Sequence, residues 1–346
     1  MSPVKPKRRA RRERKVSGSI TLAEVAKMAG VAVSTASRAL NNPEIVSPEL
    51  LQRVQDAVSR SGYVPNLLAG GLASNRSRLV ATIVPTIVGP ALFSSCIQAI
   101  TDTLAAGGYQ AMLGVSGYVD SREDALLAAI ISRRPDGIIL TGIVHSPEGR
   151  RRLAAAGIPV VETWDLTPTP IDMLVGFSHE KVGAATAEYF HKRGARRPGI
   201  ISANDSRALQ RNRGFTETAK KLGLPEIPIH LTLPPTTIGA GRSGLRSLLE
   251  QCPDLDAVAC SSDYLALGVV IEAQQRGIKV PGQLAVVGFG DLNFAADVHP
   301  TLSTVRIDGE VIGTQAARFI IDRIEGRPVL NRVVDVGFSI VTRESG

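Results

Sequence analysis

The sequence predicts two fold classes in one chain: an N-terminal all-α helix-turn-helix head followed by a hinge, and a two-lobed α/β core of two doubly wound parallel sheets. Three observations predict it. Residues 20–65 hold three short helices with their start and stop signals in place. From residue 79 onward, short apolar runs alternate with helical stretches. The formal net charge of +8 is concentrated ahead of the head, which leaves both folded parts close to neutral.

That charge comes first along the chain. Eight basic residues between Lys5 and Lys15 face a single acid, Glu13. Like charges with few apolar residues repel and do not pack, so residues 1–18 are expected to form a basic disordered arm. Its expected partner is the DNA phosphate backbone, bound without reading sequence. A solubilising tail, or a start codon placed too early, would have the same composition.

The head is expected over 19–64. Thr21 and Glu24 form a capping box ahead of Leu22, Val25 and Ala26, and Gly30 ends the first helix by adopting positive φ. The second helix runs from Val33 to Leu40 and stops at Asn41-Asn42-Pro43. Ser47-Pro48-Glu49 opens the third with a hydroxyl cap, a proline at the first helical position and an acid in the first turn. Leu50, Leu51, Val54, Ala57 and Val58 supply its apolar face, and Gly62 closes it. Lys27, Arg38, Arg53 and Arg60 cancel Glu24, Glu44, Glu49 and Asp56, so the head carries no net charge.

Such a layout presents its second helix to the DNA major groove. Val33, Ser34 and, one turn later, Arg38 are expected at base edges; Val33 offers only apolar contact, and Ser34 can bond any base. Thr35 and Ser37 suit phosphates, which position a protein without specifying sequence. Ala36, Ala39 and Leu40 are expected against the first helix. Thr21, Asn41, Tyr63, Asn66 and Ala69 are further expected DNA contacts.

In the core, strands are expected over 79–85, 109–116, 137–142, 158–164, 198–203, 227–233, 256–262 and 284–290. Helices are expected over 93–106, 122–133, 148–156, 180–192, 212–222, 241–251, 266–276 and 308–324. Alternating strands and helices build parallel sheets by right-handed crossovers, and the number of strands suits two lobes. Ligands of such sheets bind beyond the carboxyl ends of the strands, here in the cleft between lobes. Strand ends offer Glu162 and Asp165 after the fourth run, Asp291 after the eighth, Thr86 and Phe93 around the first, and His145 beyond the third. Trp164, the sole tryptophan, either stacks on a ligand or packs in the core.

Several chemistries are excluded. Gly239 to Gly244 match GxGxxG, but Pro234 to Thr237 intervene where a tight strand-to-helix turn is needed, and no acid follows at the required distance. Neither an acid/base pair, a nucleophile elbow nor a metal-ligand cluster is present, so no enzyme activity, cofactor or metal is expected. Three widely spaced cysteines read as reduced core residues. Neither a signal peptide nor a membrane-length apolar run is seen.

Two regions resemble a known family. TLAEVAKMAGVAVSTASRALN, with VSPELLQRVQDAVSRSGYVPN after it, resembles the DNA-binding head of the lactose-repressor (LacI) family. Residues 79–343 resemble that family's periplasmic-binding-protein-like core through RRPDGIIL (133–140), AGIPVV (156–161), CSSDYLALG (260–268), AVVGF (285–289) and PTLSTV (300–305). The family usually carries a hydroxyl cap before its second helix; here that position is Ala32. The resemblance implies a hinge helix within 65–76 that forms on DNA and wedges Leu72 into the minor groove. Gly70-Gly71 departs from the pattern, each glycine costing about 1 kcal/mol of helix propensity.

The resemblance also implies three crossings between lobes, near 176, 290 and 306. The core (77–346) would then divide into an N-lobe of about 77–176 and 291–306 and a C-lobe of about 177–290 and 307–346. It implies effector-binding roles for Arg211 in QRNRGF and Asp263 in SSDYLALG: the carboxylate can accept from two hydroxyls, and the guanidinium can donate a pair to hydroxyls or a carboxylate. TGIVHSPEG (141–149) and IPVVETWDLTPTPIDMLVGFSHEKVGAA (158–185) are similar to the gluconate-utilisation repressor branch. A sugar-acid effector such as gluconate follows, its carboxylate meeting His145, Arg207 or Arg213.

The expected function is therefore that of a sequence-specific DNA-binding transcriptional regulator, a repressor of a carbohydrate or sugar-acid utilisation operon under allosteric control. A neutral sugar or nucleobase effector, or a sugar-binding protein of a transporter, are the alternatives. Expected partners are double-stranded operator DNA, the small-molecule effector and a second copy in a homodimer, with no tetramer and no membrane. The expected location is the bacterial cytoplasm, at the nucleoid.

Overall fold

A computed structural model describes residues 20–64, 76–87, 93–117, 120–143 and 146–346. The basic arm, His145 and the hinge from 65 to 75, with Asn66, Ala69, Gly70, Gly71 and Leu72, lie outside the described residues. The chain divides into two compact units, Met1–Asn75 and Arg76–Gly346.

In the first unit, α1 (Leu22–Ala29), α2 (Val33–Asn41) and α3 (Pro48–Ser61) surround a small core of Val25, Ala29, Ala39, Val54 and Ala57. The capping box forms: Thr21 Oγ1 accepts from the Glu24 amide at 3.3 Å, and the Glu24 carboxylate accepts from the Thr21 amide at 2.7 Å. Gly30 takes φ 64°, and Arg53 of α3 donates to the carbonyls of Ala29 and Gly30 at 2.7 and 3.2 Å. A cation thereby closes the carbonyl end of α1, where the helix dipole favours it. As expected, α2 has no side-chain cap at Ala32. Ser47 departs from expectation: it stands at the N-cap of α3, but its hydroxyl makes no capping bond, so Pro48 alone sets the start.

The second unit holds two six-stranded sheets. The first contains β1 (Leu79–Val84), β2 (Gln110–Val115), β3 (Gly137–Thr141), β4 (Val160–Thr163), β5 (Met173–Gly176) and β11 (Val333–Asp335), in the order β11-β5-β4-β3-β1-β2. The second contains β6 (Pro198–Ala203), β7 (Ile229–Thr232), β8 (Ala257–Cys260), β9 (Ala285–Phe289), β10 (Ser303–Arg306) and β12 (Ser339–Val341), in the order β12-β10-β9-β8-β6-β7. Every pairing is parallel except β12 with β10. Helices α4 (Ser94–Ala106), α5 (Asp120–Ile131) and α6 (Pro147–Ala156) serve the first lobe. Helices α7 (His179–Lys192), α8 (Ser206–Lys221), α9 (Ile238–Gln251) and α10 (Asp263–Gln275) serve the second.

The lobe assignment expected for the late segments is reversed. β10 pairs with β9 in the second sheet, so 291–306 does not belong to the N-lobe. Helix α11 (Gly309–Ile324) packs on α4 and against β3, β4 and β5, and β11 pairs with β5, so 307–335 belongs to the N-lobe rather than the C-lobe. The chain thus crosses after Gly176, again after Arg306, and finally between Asp335 and Ser339. The last crossing is bonded on both sides: the Val336 amide donates to the Gly176 carbonyl at 2.8 Å, and Ser339 pairs with Arg306.

Glycines set the helix pairs. A Cβ on Gly183 of α7 would overlap the Arg211 carbonyl of α8, and one on Gly214 of α8 would overlap the Glu180 carbonyl of α7. Gly241 and Gly268 do the same for α9 and α10 against Leu265 and Ile238. The GxGxxG run therefore serves helix packing. Among the described residues no helix is long and apolar enough to cross a membrane.

Candidate DNA-reading face and effector cavity

On α2, Val33 is 48% exposed, Ser34 and Arg38 are exposed, and Ala36 and Ala39 are buried. One face is thus presented outward and the other packed inward, with Thr35 and Ser37 half-buried between them. Asn41 Nδ2 donates to the Ser37 carbonyl at 3.0 Å and to its hydroxyl at 3.3 Å, so these two brace the end of the helix. Thr21 is engaged with Glu24, and Tyr63 packs against the head's core. Among the head's cations, Arg53 is committed to closing α1, which leaves Arg38 as the charge on the reading helix.

In the core, a cavity opens where the carboxyl ends of strands from both lobes meet, its empty space of about 640 Å³ counting the open solvent at its mouth. Its walls carry an aromatic run across the junction: Phe93 meets Trp164 edge-on at 5.0 Å, Trp164 meets Phe177 at 6.3 Å, and Phe177 meets Phe289 at 6.3 Å. Two guanidinium groups lie over these rings, Arg207 at 5.5 Å from Phe93 and Arg211 at 4.0 Å from Phe289. Asp205 caps α8, accepting from the Arg207 and Ala208 amides at 3.1 and 2.9 Å. Hydroxyls complete the lining, Thr236 and Ser262 bonding each other at 2.8 Å.

The hydrogen bonds of Arg211 go to uncharged groups. It donates to His179 Nδ1 at 2.9 Å and reaches the Ser261 carbonyl at 3.5 Å. On the other side of its ring, His179 Nε2 lies 2.9 Å from the Trp164 carbonyl. A guanidinium only donates and a carbonyl only accepts, so the imidazole is neutral with its hydrogen on Nε2. Burial, then the charges of Arg211 and Arg207, hold its pKa well below the usual histidine range. Burial, with the charge of Arg207, pushes Arg211 down to about 10, opposed by the carboxylates of Asp205 and Asp165, so the guanidinium stays charged at neutral pH.

Of the residues expected to bind effector, Arg211, Phe93 and Arg207 line this cavity. Asp263 does not fit the role expected of it: fully buried, its carboxylate accepts from Thr304 Oγ1 at 2.6 Å and the Leu292 amide at 2.7 Å. Glu162 is buried on β4 beside Arg150 at 3.5 Å and accepts from the Ile171 amide. Asp165 is buried and accepts from the Leu166 amide. Asp291 is clamped between Arg306 and Arg343 at 2.5 and 2.7 Å. Arg213 is exposed and pairs with Glu180 at 3.3 Å. Thr86 lies just past β1, and neither it nor these acids line the cavity.

Sequence reasoning missed His179, Phe177, Asp205 and Ser262. A signal exists for the first two, because Phe177 and His179 directly follow β5. That strand is only four residues long, too short to stand out by its pattern.

Comparison with known proteins places these features. A family profile described as "Bacterial regulatory proteins, lacI family" matches residues 21–66, and one described as "Periplasmic binding protein-like domain" matches residues 187–346. The chain is 38% identical to the HTH-type transcriptional regulator GntR of Pseudomonas aeruginosa, over 96% of this chain and 97% of that one. It is 31% identical to the HTH-type transcriptional regulator GntR of Escherichia coli K12, over 92% and 96% of the two chains. A LacI-family transcriptional regulator from Silicibacter pomeroyi superposes with a TM-score of 0.88 at 34% identity, covering 94% of this chain and 99% of that one.

Proposed function

The chain belongs to the LacI family and is a DNA-binding transcriptional regulator rather than an enzyme; from that premise we propose that it represses a sugar-acid utilisation operon and that its inter-lobe cavity takes gluconate or a closely related aldonate. The observation that carries this reading is Arg211. Its guanidinium is charged, half-buried at the cavity wall and hydrogen-bonded to a neutral imidazole and a carbonyl, with the Asp205 and Asp165 carboxylates near enough to act on its charge. A carboxylate would satisfy it with a charge-assisted pair. Arg207 adds a second cation, the hydroxyls of Thr236 and Ser262 suit a polyol chain, and the aromatic walls accept its C–H faces. The similarity of 141–149 and 158–185 to gluconate-utilisation repressors supports the same chemistry.

The ligand acts only through its differential affinity for the lobe arrangements. In a homodimer, a change in lobe arrangement alters the spacing of two heads and their fit to two half-sites. The exposed face of α2, with Val33, Ser34 and Arg38, reads the bases, with Thr35 and Ser37 on phosphates. The basic arm and Leu72 supply backbone and minor-groove contacts.

Operator footprinting with and without gluconate tests the proposal, with glucose as the uncharged control. Gluconate is expected to change operator affinity at concentrations where glucose does not. Equal effects of the two would remove the sugar-acid reading, and no effect of any sugar or sugar acid would remove the induction reading. Arg211→Lys loses the stack on Phe289 and the two-pronged donor. It should weaken gluconate binding by about tenfold or more, as expected for a lost bond to a charged group. Emission of Trp164, a wall of the cavity and the chain's sole tryptophan, gives the titration.

A further inference from the structure

His179 has no role in the reading above beyond lining the cavity, yet its position is unusual. It is 3% exposed and opens α7 in the second lobe, just after the first crossing. One ring nitrogen takes a hydrogen bond from Arg211 of α8, and the other gives one to the Trp164 carbonyl at the end of β4 in the first lobe. The Phe177 ring packs edge-on against the imidazole at 4.6 Å and fixes its plane. The residue it grips is itself constrained: Trp164 is a non-glycine at φ 68°, pinned by its amide to the Val175 carbonyl at 3.1 Å. An aromatic ring bonded at both ends has no internal torsion through which a displacement can be absorbed.

We propose that His179 is a strut that carries the effector's pull on Arg211 across the cleft to the first lobe at Trp164. The inference rests on the proposal that an anionic effector engages Arg211. When a carboxylate draws the guanidinium, the imidazole moves with it and shifts the Trp164 carbonyl, which biases the lobe arrangement. His179 is thus a positioning residue whose two bonds have separable effects: one sets how well Arg211 holds ligand, the other sets how strongly occupancy is felt elsewhere.

Two substitutions cut the strut at different ends. Asparagine sets its amide oxygen near the Nδ1 position and can still accept from Arg211, but it does not reach Trp164. Glutamine sets its amide nitrogen near Nε2 and can still donate to Trp164, but it offers Arg211 no acceptor at Nδ1. Gluconate affinity is read by Trp164 emission on the full chain. Coupling is read as the ratio of operator dissociation constants with and without saturating gluconate. Both His179→Asn and His179→Gln should reduce that ratio at least about fivefold, whereas His179→Gln should lose about tenfold more gluconate affinity than His179→Asn. Coupling of wild-type size in both variants, or equal affinity losses with coupling intact, would overturn the strut. Failure of the wild-type chain to bind gluconate would instead overturn the sugar-acid reading, and the strut would fall with it.

Discussion

At the scale of single residues, a charged side chain near a cleft does different work according to what already satisfies it. Asp263 and Arg211 sit in motifs of equal clarity. The structure commits both oxygens of Asp263 to Thr304 and Leu292, while Arg211 hydrogen-bonds an imidazole and a carbonyl. Asp263 is also placed where burial pushes its pKa up to about 6. The protonated form is therefore favoured in the folded chain relative to an unfolded value near 3.9. Its contribution to stability is full below about pH 4 and is lost as pH rises through 6, a swing of roughly 3 kcal/mol. Thermal unfolding of the wild type and Asp263→Asn should show the wild type losing ground to the variant from pH 4 to pH 7. A pH-independent gap between the two would mean that Thr304 and Leu292 satisfy the ionised form.

Sequence spacing could point to Arg211, because a motif fixes where along a helix a side chain stands. It could not separate Asp263 from a ligand contact, because the partners that consume its oxygens lie 29 and 41 residues away. His179 was invisible for the opposite reason: its neutrality and its two bonds exist only once Trp164 and Arg211 are brought to it.

At the scale of elements, periodicity located all three head helices to within a few residues, and with them eight strands, seven of whose apolar runs extend past the strand itself. It missed β5, β10, β11 and β12, which are three or four residues long. A strand of that length, without a longer apolar run around it, has no room for a period-2 pattern. Its identity is decided by the neighbours that pair with it. The misassigned lobe segments follow from the same cause, because β10 and β11 are what attach 303–306 and 333–335 to their sheets.

Helix pairing offers a sharper handle. The reciprocal approach of Gly183 and Gly214 brings α8, and with it Arg211, to the cavity wall. Gly183→Ala places a methyl against the Arg211 carbonyl and should cost about 1–3 kcal/mol by forcing the helices apart. It should also weaken gluconate binding more than the equivalent change at Gly241, which packs α9 on α10 and does not position Arg211. Equal effects on binding would detach Arg211's position from the α7–α8 spacing. In the hinge, the Gly70→Ala/Gly71→Ala double variant should tighten operator binding and blunt induction by raising helix propensity about 2 kcal/mol in total. Weaker binding at normal expression would count against a hinge that folds on DNA.

At the scale of the whole molecule, charge and specificity are carried by different segments. The first sixteen residues hold most of the net charge, and the head that reads sequence holds none. Removing residues 1–17 should flatten the log–log dependence of operator affinity on salt by roughly 0.9 for each phosphate the arm had neutralised. The ranking of operator variants should be left in place. An unchanged slope would make the arm a bystander.

The last crossing between the lobes is bonded to the first through Val336 and Gly176 and to the second through Ser339 and Arg306. The three connections thus form one narrow woven band instead of three separate cords. Such a band flexes and twists readily but resists stretching and sideways slip. On the allosteric reading proposed above, the lobes then have few coordinates along which to move, and ligands of quite different shape would drive the molecule to different points on the same short track.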